Sequence, residues 1–258
     1  MTSNPANIYE SGDSRFSQET QRLASFDWPT QISIEAIGEL RASAHILDIG
    51  AGPNVQLANY VKSHGGGYTA LDKNASFLEK QKAAGAETVL GDIRSLPFHD
   101  ASFDISHIRF VVSHLGNDKQ TSIQEALRVI KPTGKAIFIE YDWTTAHGSP
   151  VFEKVKNFMI HGGFLFDADY GHELLDAVQL AAPSHIALSV KHYDPPQMMD
   201  YSQVLKLREA GSTDLKLQGK ESDTTEWNKL LDALQAEAES VNPPGYFFPG
   251  VTVVTATK

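Results

Sequence analysis

The sequence predicts a doubly wound α/β fold, in which a mostly parallel sheet of seven strands carries helices on both faces. From His45 to Trp143, short runs rich in β-forming residues alternate with segments of helical period, as in βαβ units. The chain has 258 residues, of which 41% are hydrophobic and 21% charged, the composition of an ordinary globular protein. We therefore expect a single structural domain with a substantial core.

The predicted strands are short runs bounded by glycine, proline or polar residues. In chain order they are His45–Ile49, Tyr68–Leu71, Glu87–Leu90, Phe103–Ile108, Lys135–Tyr141, Ile186–Tyr193 and Phe247–Thr257. Two of the intervening helices have clear ends. One is capped by Asn74 and ends at Gly85, and the other carries the stripe Ile123, Leu127 and Ile130 and ends at the turn Lys131–Gly134.

After Trp143 the pattern becomes mainly helical. Apolar stripes predict helices at Val151–Met159, Leu174–Val178, Tyr201–Leu205 and Trp227–Leu234. We therefore divide the single domain into a core with an N-terminal lid, residues 1–145, and the remainder of the sheet, residues 146–258. Two helical inserts, at about residues 146–182 and 194–241, are predicted to form a cap over the sheet edge.

The amino-acid composition excludes several kinds of site and partner. The chain has no cysteine, which excludes disulfides, iron–sulfur clusters, thiolate zinc sites and a thiol nucleophile. The formal charge of −10 and the lack of basic clusters disfavour nucleic acid as a partner. No apolar run approaches the roughly 18 residues of a membrane span, and the first ten residues lack a secretory pattern. We expect a cytoplasmic protein that does not enter a membrane.

The most informative segment is a strand that runs through an acid into a glycine-rich turn, Asp48-Ile49-Gly50-Ala51-Gly52. A dinucleotide site would need a third glycine where this chain has Val55, so NAD is disfavoured. Asp48 suits a cationic ligand held directly or through water. Asp72 ends the next strand, where a ribose diol is gripped in such folds, and Asp92 follows the third, where it can accept from an exocyclic amine.

At these residues the chain resembles the class I S-adenosylmethionine-dependent methyltransferases of small-molecule type. The resemblance covers about Tyr9 to Trp143 and rests on an ordered set of motifs. They are the loop Asp48–Gly52, Asp72, Gly91-Asp92-Ile93, Leu96-Pro97-Phe98, Phe103-Asp104, Glu125–Ile130 and Lys131–Gly134. The resemblance implies a Rossmann-like sheet with an antiparallel last strand, and S-adenosyl-L-methionine as the cofactor.

The resemblance also implies roles for individual residues. Gly50 and Gly52 lie under the methionine moiety, Asp72 binds the ribose hydroxyls, and Asp92 binds the adenine amine. The remaining cofactor contacts that it assigns are Ile93 on the adenine ring, the backbone of Arg109, the neighbours Ala51 and Lys73, and Tyr9 in a lid that includes Arg22. The chain departs from the family by having Asn54 and Thr133 where glycine is common, and Asn54 is expected to turn the chain through a positive φ.

Catalytic and acceptor residues are expected beyond the carboxyl ends of strands four and five. His114 is the first candidate for a general base and Asp142 the reserve, while a packed structural role for His114 is an equal alternative. Tyr141 and Trp143 are candidates to line the acceptor pocket, with core packing as their alternative. No converging ligand pattern predicts a metal.

Three functions remain open at this point. The favoured one is transfer of a methyl group from S-adenosylmethionine to an O-, N- or C-nucleophile of a small organic acceptor. Methylation of a macromolecule is the second, although it would call for a more open or basic surface. The third is a protein that binds the cofactor without transferring methyl groups.

Overall fold

The computed structural model describes residues 28–162, 164, 167–194, 211–212, 215–216, 218–240 and 249–258. Its strands are β1 (His45–Ile49), β2 (Gly67–Asp72), β3 (Glu87–Leu90), β4 (Phe103–Arg109), β5 (Ile130–Asp142), β6 (Ala187–Tyr193) and β7 (Gly250–Thr257). They form one sheet in the order β3-β2-β1-β4-β5-β7-β6, in which β7 alone is antiparallel to its neighbours. The predicted fold class and the antiparallel last strand are confirmed.

Helices cover both faces of this sheet. Those with defined bounds are α1 (Trp28–Ile37), α2 (Gln56–Ser63), α3 (Ala75–Ala83), α4 (Lys119–Arg128), α5 (Pro150–His161), α6 (Tyr170–Ala181) and α7 (Glu221–Ser240). Helices α1, α2 and α3 share one buried cluster with Ile46 of β1, whereas α4 and α6 share the other with Leu47. Adjacent residues of one strand thus enter opposite cores, as expected for a parallel sheet buried on both faces.

The strand order places a crevice at one edge of the sheet. The chain winds outward from β1 to β3 and then returns to β4 on the other side of β1. The connections that leave the carboxyl ends of β1 and β4 therefore diverge, and ligands of open α/β sheets bind in the crevice between them. The predicted site residues after β1, β2, β3 and β4 all belong to this edge.

Helices α5 and α7 have a small core of their own beside the sheet. Phe152 of α5 and Trp227 of α7 are fully buried in it, and Trp143 joins them from the end of β5. The apolar stripes predicted for these two helices are confirmed. The predicted helix at Tyr201–Leu205 and the start of the last strand at Phe247 lie outside the described residues.

One predicted boundary is wrong. Ile130 was expected to close a helical stripe, but α4 ends at Arg128 and Ile130 begins β5, paired with Phe103. The predicted turn Lys131–Gly134 lies inside β5 as a register break, because the next aligned pair is Ile105 with Lys135. Gly134 fits there because a Cβ would lie 2.6 Å from the Asp104 carbonyl oxygen.

Among the residues that the structure describes, no helix is long and apolar enough to cross a bilayer.

Candidate functional site

The turn after β1 requires its glycines for two different reasons. Gly50 and Gly52 have φ values of +69° and +60°, in the left-handed region. A Cβ on Gly50 would also lie 2.5 Å from a methyl group of Val111, whereas a Cβ on Gly52 would meet nothing nearer than the Gly50 carbonyl oxygen at 4.0 Å. The turn therefore packs tightly at Gly50 and borders open space at Gly52. Ala51 lies between them and is buried.

Asn54 does not act as predicted. Its φ is not positive, and its Oδ1 accepts the backbone N–H of Gln56 at 2.9 Å, which forms an Asx turn immediately before α2. Gln81 of α3 supports the same turn by donating its amide to the carbonyl oxygens of Gly52 and Asn54, at 3.0 and 2.9 Å. The turn is thus held from outside by α3, and Gly at position 54 is unnecessary.

Asp48 is buried with both carboxylate oxygens engaged. One accepts from the Tyr68 hydroxyl and the other contacts His107 Nδ1 at 2.7 Å. Burial by itself would raise the pKa of Asp48, but the charge and hydrogen bond of His107 outweigh it and lower the pKa below its ordinary value. Asp48 is therefore ionised, with its two oxygens engaged by Tyr68 and His107. A direct contact between Asp48 and a cationic ligand would have to compete with these two partners.

His107 links this acid to α1. Its Nε2 lies 2.9 Å from Ser33 Oγ, which donates to the Pro29 carbonyl oxygen and receives Arg109 Nη1 at 3.2 Å. The order Asp, His, Ser is that of a hydrolase triad. Ser33 is fully buried on α1, however, and its hydroxyl donates to a carbonyl oxygen of the helix backbone. The arrangement therefore anchors α1 to the site and offers no nucleophile.

Asp72 is the acid best placed for a ribose. Its two oxygens accept the N–H groups of Gly52 at 2.9 Å and of Asn74 at 2.8 Å, which joins the glycine turn to the end of β2. Burial raises the pKa of Asp72, and the backbone hydrogen bonds offset that only in part. Each oxygen has a further lone pair, so the carboxylate retains the capacity to accept hydroxyl groups. The adjacent Lys73 is exposed.

Asp92 is paired with an arginine that sequence reasoning did not single out. The Arg94 guanidinium contacts both Asp92 oxygens and also reaches Asp118 at 3.2 Å, in the segment before α4. This pairing lowers the pKa of Asp92 and keeps it ionised, as an acceptor for an amine must be. Ile93 is 7% exposed and belongs to the core beside Leu71, so most of its surface packs on protein.

The chain leaves β4 in an unfavourable conformation. Phe110 has φ +57°, which is a true outlier for a bulky residue, and its N–H donates to the Ile139 carbonyl oxygen at 2.8 Å. Its ring stacks on Tyr141, with 3.9 Å between ring centroids and an interplanar angle of 5°, and Trp28 tilts against Tyr141. Backbone strain of this kind concentrates at functional sites. The strained Phe110 and the half-buried ring of Tyr141 therefore indicate that the carboxyl ends of β4 and β5 belong to the functional site.

A buried carboxylate that sequence reasoning missed lies below this turn. Glu140 is 1% exposed, and its Oε1 accepts the N–H groups of Val111, Val112 and Ser113 at 3.0, 2.7 and 3.3 Å. Burial raises the pKa of Glu140 to about 7 despite these hydrogen bonds. An acid that directly follows the apolar run Ala136–Ile139 was the available signal.

The catalytic and acceptor candidates fall in different surroundings. His114 is exposed at the end of a short turn after Val111. Asp142 is buried and accepts from the N–H and hydroxyl of Thr144, which spends one of its oxygens on the turn after β5. Trp143 packs in the α5–α7 core, which is the core-packing alternative to its predicted place in the acceptor pocket. Tyr141 is half-buried at the edge.

The structure thus brings the predicted Asp48, Asp72, Asp92 and Arg109 to one sheet edge. Arg109 uses its side chain on Thr30 and Ser33 of α1. Tyr9 and Arg22 lie outside the described residues. Within the described ranges, no three His, Cys, Asp or Glu side chains are grouped to hold a metal ion.

Comparison with known proteins matches residues 47–138 to the family model described as a methyltransferase domain. Demethylmenaquinone methyltransferase of Renibacterium salmoninarum is 30% identical over 117 residues, covering 45% of this chain and 48% of that protein. Malonyl-[acyl-carrier protein] O-methyltransferase of Pseudescherichia vulneris is 33% identical over 115 residues, covering 44% and 43%. The match therefore spans less than half of each of these relatives. The YcgJ protein of Bacillus subtilis has the same fold, with a TM-score of 0.59 and 17% identity over 90% of this chain and 99% of that one.

Proposed function

Because residues 47–138 form a methyltransferase domain on the class I fold, we propose that this protein binds S-adenosylmethionine and transfers its methyl group to a small organic acceptor. The observation that carries the proposal is the set of strand-end acids Asp48, Asp72 and Asp92 around a glycine turn, at the point where the strand order reverses. The named relatives are a demethylmenaquinone methyltransferase and a malonyl-[acyl-carrier protein] O-methyltransferase, so a small organic group, free or carrier-bound, is the favoured class of acceptor.

The residues of the edge fit this cofactor. Open space beside Gly52 leaves room against the turn backbone, and Asp72 keeps acceptor capacity for the two ribose hydroxyls. Asp92 is held ionised by Arg94 and suits an exocyclic amine. When bound, S-adenosylmethionine supplies a methyl group made electrophilic by a positively charged sulfur. An edge rich in carboxylates favours such a cation electrostatically.

The protein's own contribution to catalysis is then mainly positioning. Alignment of a nucleophile with an activated methyl group needs fixed geometry and exclusion of water more than it needs a strong base. The stacked rings of Phe110 and Tyr141 offer a flat apolar surface for the acceptor at the end of β4 and β5. Helices α5 and α7 supply an apolar cap beside it.

A general base is required only if the acceptor must lose a proton. We assign that role to His114 before Asp142. His114 is exposed at the mouth of the edge, whereas Asp142 is buried and its Oδ1 is already engaged by Thr144. An imidazole whose ordinary pKa lies near neutrality also suits proton removal at physiological pH.

The test begins with binding of the demethylated product. Calorimetry with S-adenosylhomocysteine should give an affinity of micromolar order for the wild type. Asp72→Asn should weaken it at least tenfold, because a charged acceptor is lost, while the control Asp100→Asn, at an exposed carboxylate paired with Arg128, should leave it unchanged. Turnover of labelled donor with a panel of quinols, acyl thioesters and amines then identifies the acceptor class. Binding without turnover on any acceptor would favour the third reading, and turnover only on protein or RNA the second.

A further inference from the structure

Glu140 fills a site that the backbone builds for an anion. Three successive N–H groups, those of Val111, Val112 and Ser113, converge on a single carboxylate oxygen. Successive backbone N–H groups in a turn form a concavity that binds anions. Here the anion is a side chain at the end of β5, so the segment after β4 is attached to β5 independently of the sheet hydrogen bonds.

The segment that Glu140 attaches, Val111–Ser113, lies against the Gly50 turn, on the side of the edge where the donor is proposed to bind. Val111 occupies the space beside Gly50, since a Cβ there would come within 2.5 Å of its methyl group. Phe110, one residue earlier, is held at positive φ between two anchors, its own N–H on the Ile139 carbonyl oxygen and the Glu140 contacts that begin at Val111. Such a conformation persists only where the surroundings enforce it.

We propose that Glu140 is a positioning residue of the donor site, which acts by holding the segment Phe110–His114 against the Gly50 turn. The inference rests on the proposed function, because it assigns Glu140 to the binding of the same nucleoside donor. Glu140 does not touch the donor itself. Its carboxylate fixes Val111, Val111 supports the glycine turn, and the strained Phe110 keeps its ring on Tyr141.

The first experiment reads the segment directly, with no cofactor present. Hydrogen–deuterium exchange of a peptide spanning 110–115, measured at pH 8 where Glu140 is ionised, should be slow in the wild type and at least tenfold faster in Glu140→Gln, because a neutral amide binds three N–H groups more weakly than a carboxylate does. The matched control is Glu173→Gln, which removes an exposed charge on α6 near the same cluster and leaves the Glu140 contacts intact. Equal exchange in wild type and Glu140→Gln would overturn the proposal.

The second experiment reads the effect on the donor site, as affinity for S-adenosylhomocysteine. Glu140→Gln should weaken binding about tenfold. On a Val111→Ala background the same change should cost less than threefold, because the path through Val111 is already broken. Val111→Ala alone leaves the Glu140 contacts in place and should weaken binding by several fold. If Glu140→Gln does not fold, Val111→Ala alone still tests the step from Val111 to the Gly50 turn, because wild-type affinity in Val111→Ala would refute that step.

The outcomes separate the two proposals. If the wild type binds S-adenosylhomocysteine and Glu140→Gln binds it equally well, this inference is wrong and the proposed function stands. If Val111→Ala binds as the wild type does, the path through the Gly50 turn is refuted. If the wild type does not bind at all, the proposed function fails and this inference fails with it.

Discussion

The buried carboxyl of Glu140 predicts a pH dependence of stability that one substitution should remove. Its pKa rises from an ordinary value of 4.5 to about 7, chiefly through burial. The charge of Glu140 acts on Lys119 of α4, which lies over the Tyr170 ring, and on Tyr170 of α6, and the charge of Glu173 acts on the same two groups. Among the described residues, Lys119 is ion-paired with Asp167.

The direction in which stability changes with pH depends on whether the folded or the unfolded state binds the proton. Between pH 4.5 and about 7 the unfolded chain has an ionised Glu140, while the folded protein keeps it protonated. The folded state therefore binds more protons, and its stability falls as the pH rises through this window and levels off above it. A displacement of this size corresponds to about 3 kcal/mol, an upper figure for a group whose surroundings can relax.

The assay compares urea unfolding of wild type and Glu140→Gln at half-unit steps from pH 5 to pH 8. The variant has no titrating group at this position, so its free energy of unfolding, relative to wild type, should rise by about 2–3 kcal/mol over the series. Glu173→Gln should follow the wild type. A difference between Glu140→Gln and wild type that stays flat from pH 5 to pH 8 would show that the three N–H groups hold the carboxylate near its ordinary pKa, and would refute the reasoning.

Four further predictions concern the edge and the surface. Asp72→Ala should cost about 2–4 kcal/mol of donor binding, measured by calorimetry, since it removes charge-assisted acceptors of the ribose hydroxyls; unchanged affinity would refute the ribose assignment. Gly50→Ala should destabilise the protein in thermal unfolding by more than Gly116→Ala, because both have positive φ but nothing lies within 4 Å of a Cβ at Gly116; equal costs would deny the Val111 contact. His114→Ala should lower methyl transfer by about 10²–10⁴-fold with donor affinity intact, if the acceptor is deprotonated; full turnover would return His114 to a structural role. Finally, a net charge of −10 predicts no measurable tRNA or DNA binding at physiological salt in an anisotropy titration, and tight salt-sensitive binding would favour a macromolecular acceptor.

The sequence predicted the frame of the site because that frame depends on local patterns. Strands four to eight residues long, bounded by glycine or polar residues, are readable from periodicity and composition. The carboxyl ends of parallel strands meet at one edge, so Asp48, Asp72 and Asp92 could be placed together before any coordinates were known. All three do lie at that edge.

What escaped prediction depends on contacts between distant segments. Asn54 is predicted to adopt positive φ, but it makes an Asx turn with Gln56 instead, and Gln81 of α3 donates to its carbonyl oxygen. His107 joins Asp48 to Ser33, and Ser33 lies 74 residues before His107 in the chain. The spacing of Ile130 fits a helical stripe, but Ile130 lies in β5 and pairs with Phe103, on the other side of the register break from Lys135. No local pattern reports such pairings.

The acids of the edge divide by the kind of partner that each one has. Asp48 contacts His107 and Asp92 contacts Arg94, and the pKa of both carboxyls is lowered. Asp72 and Glu140 accept backbone N–H groups, and burial raises the pKa of both, although the charge of the adjacent Lys73 lowers that of Asp72. In these two carboxyls the effect of burial, which raises the pKa, exceeds the effect of the accepted hydrogen bonds, which lower it. We therefore expect a positively charged ligand to stabilise the ionised form of Asp72, whose pKa burial raises, as the proposed donor with its cationic sulfur would do.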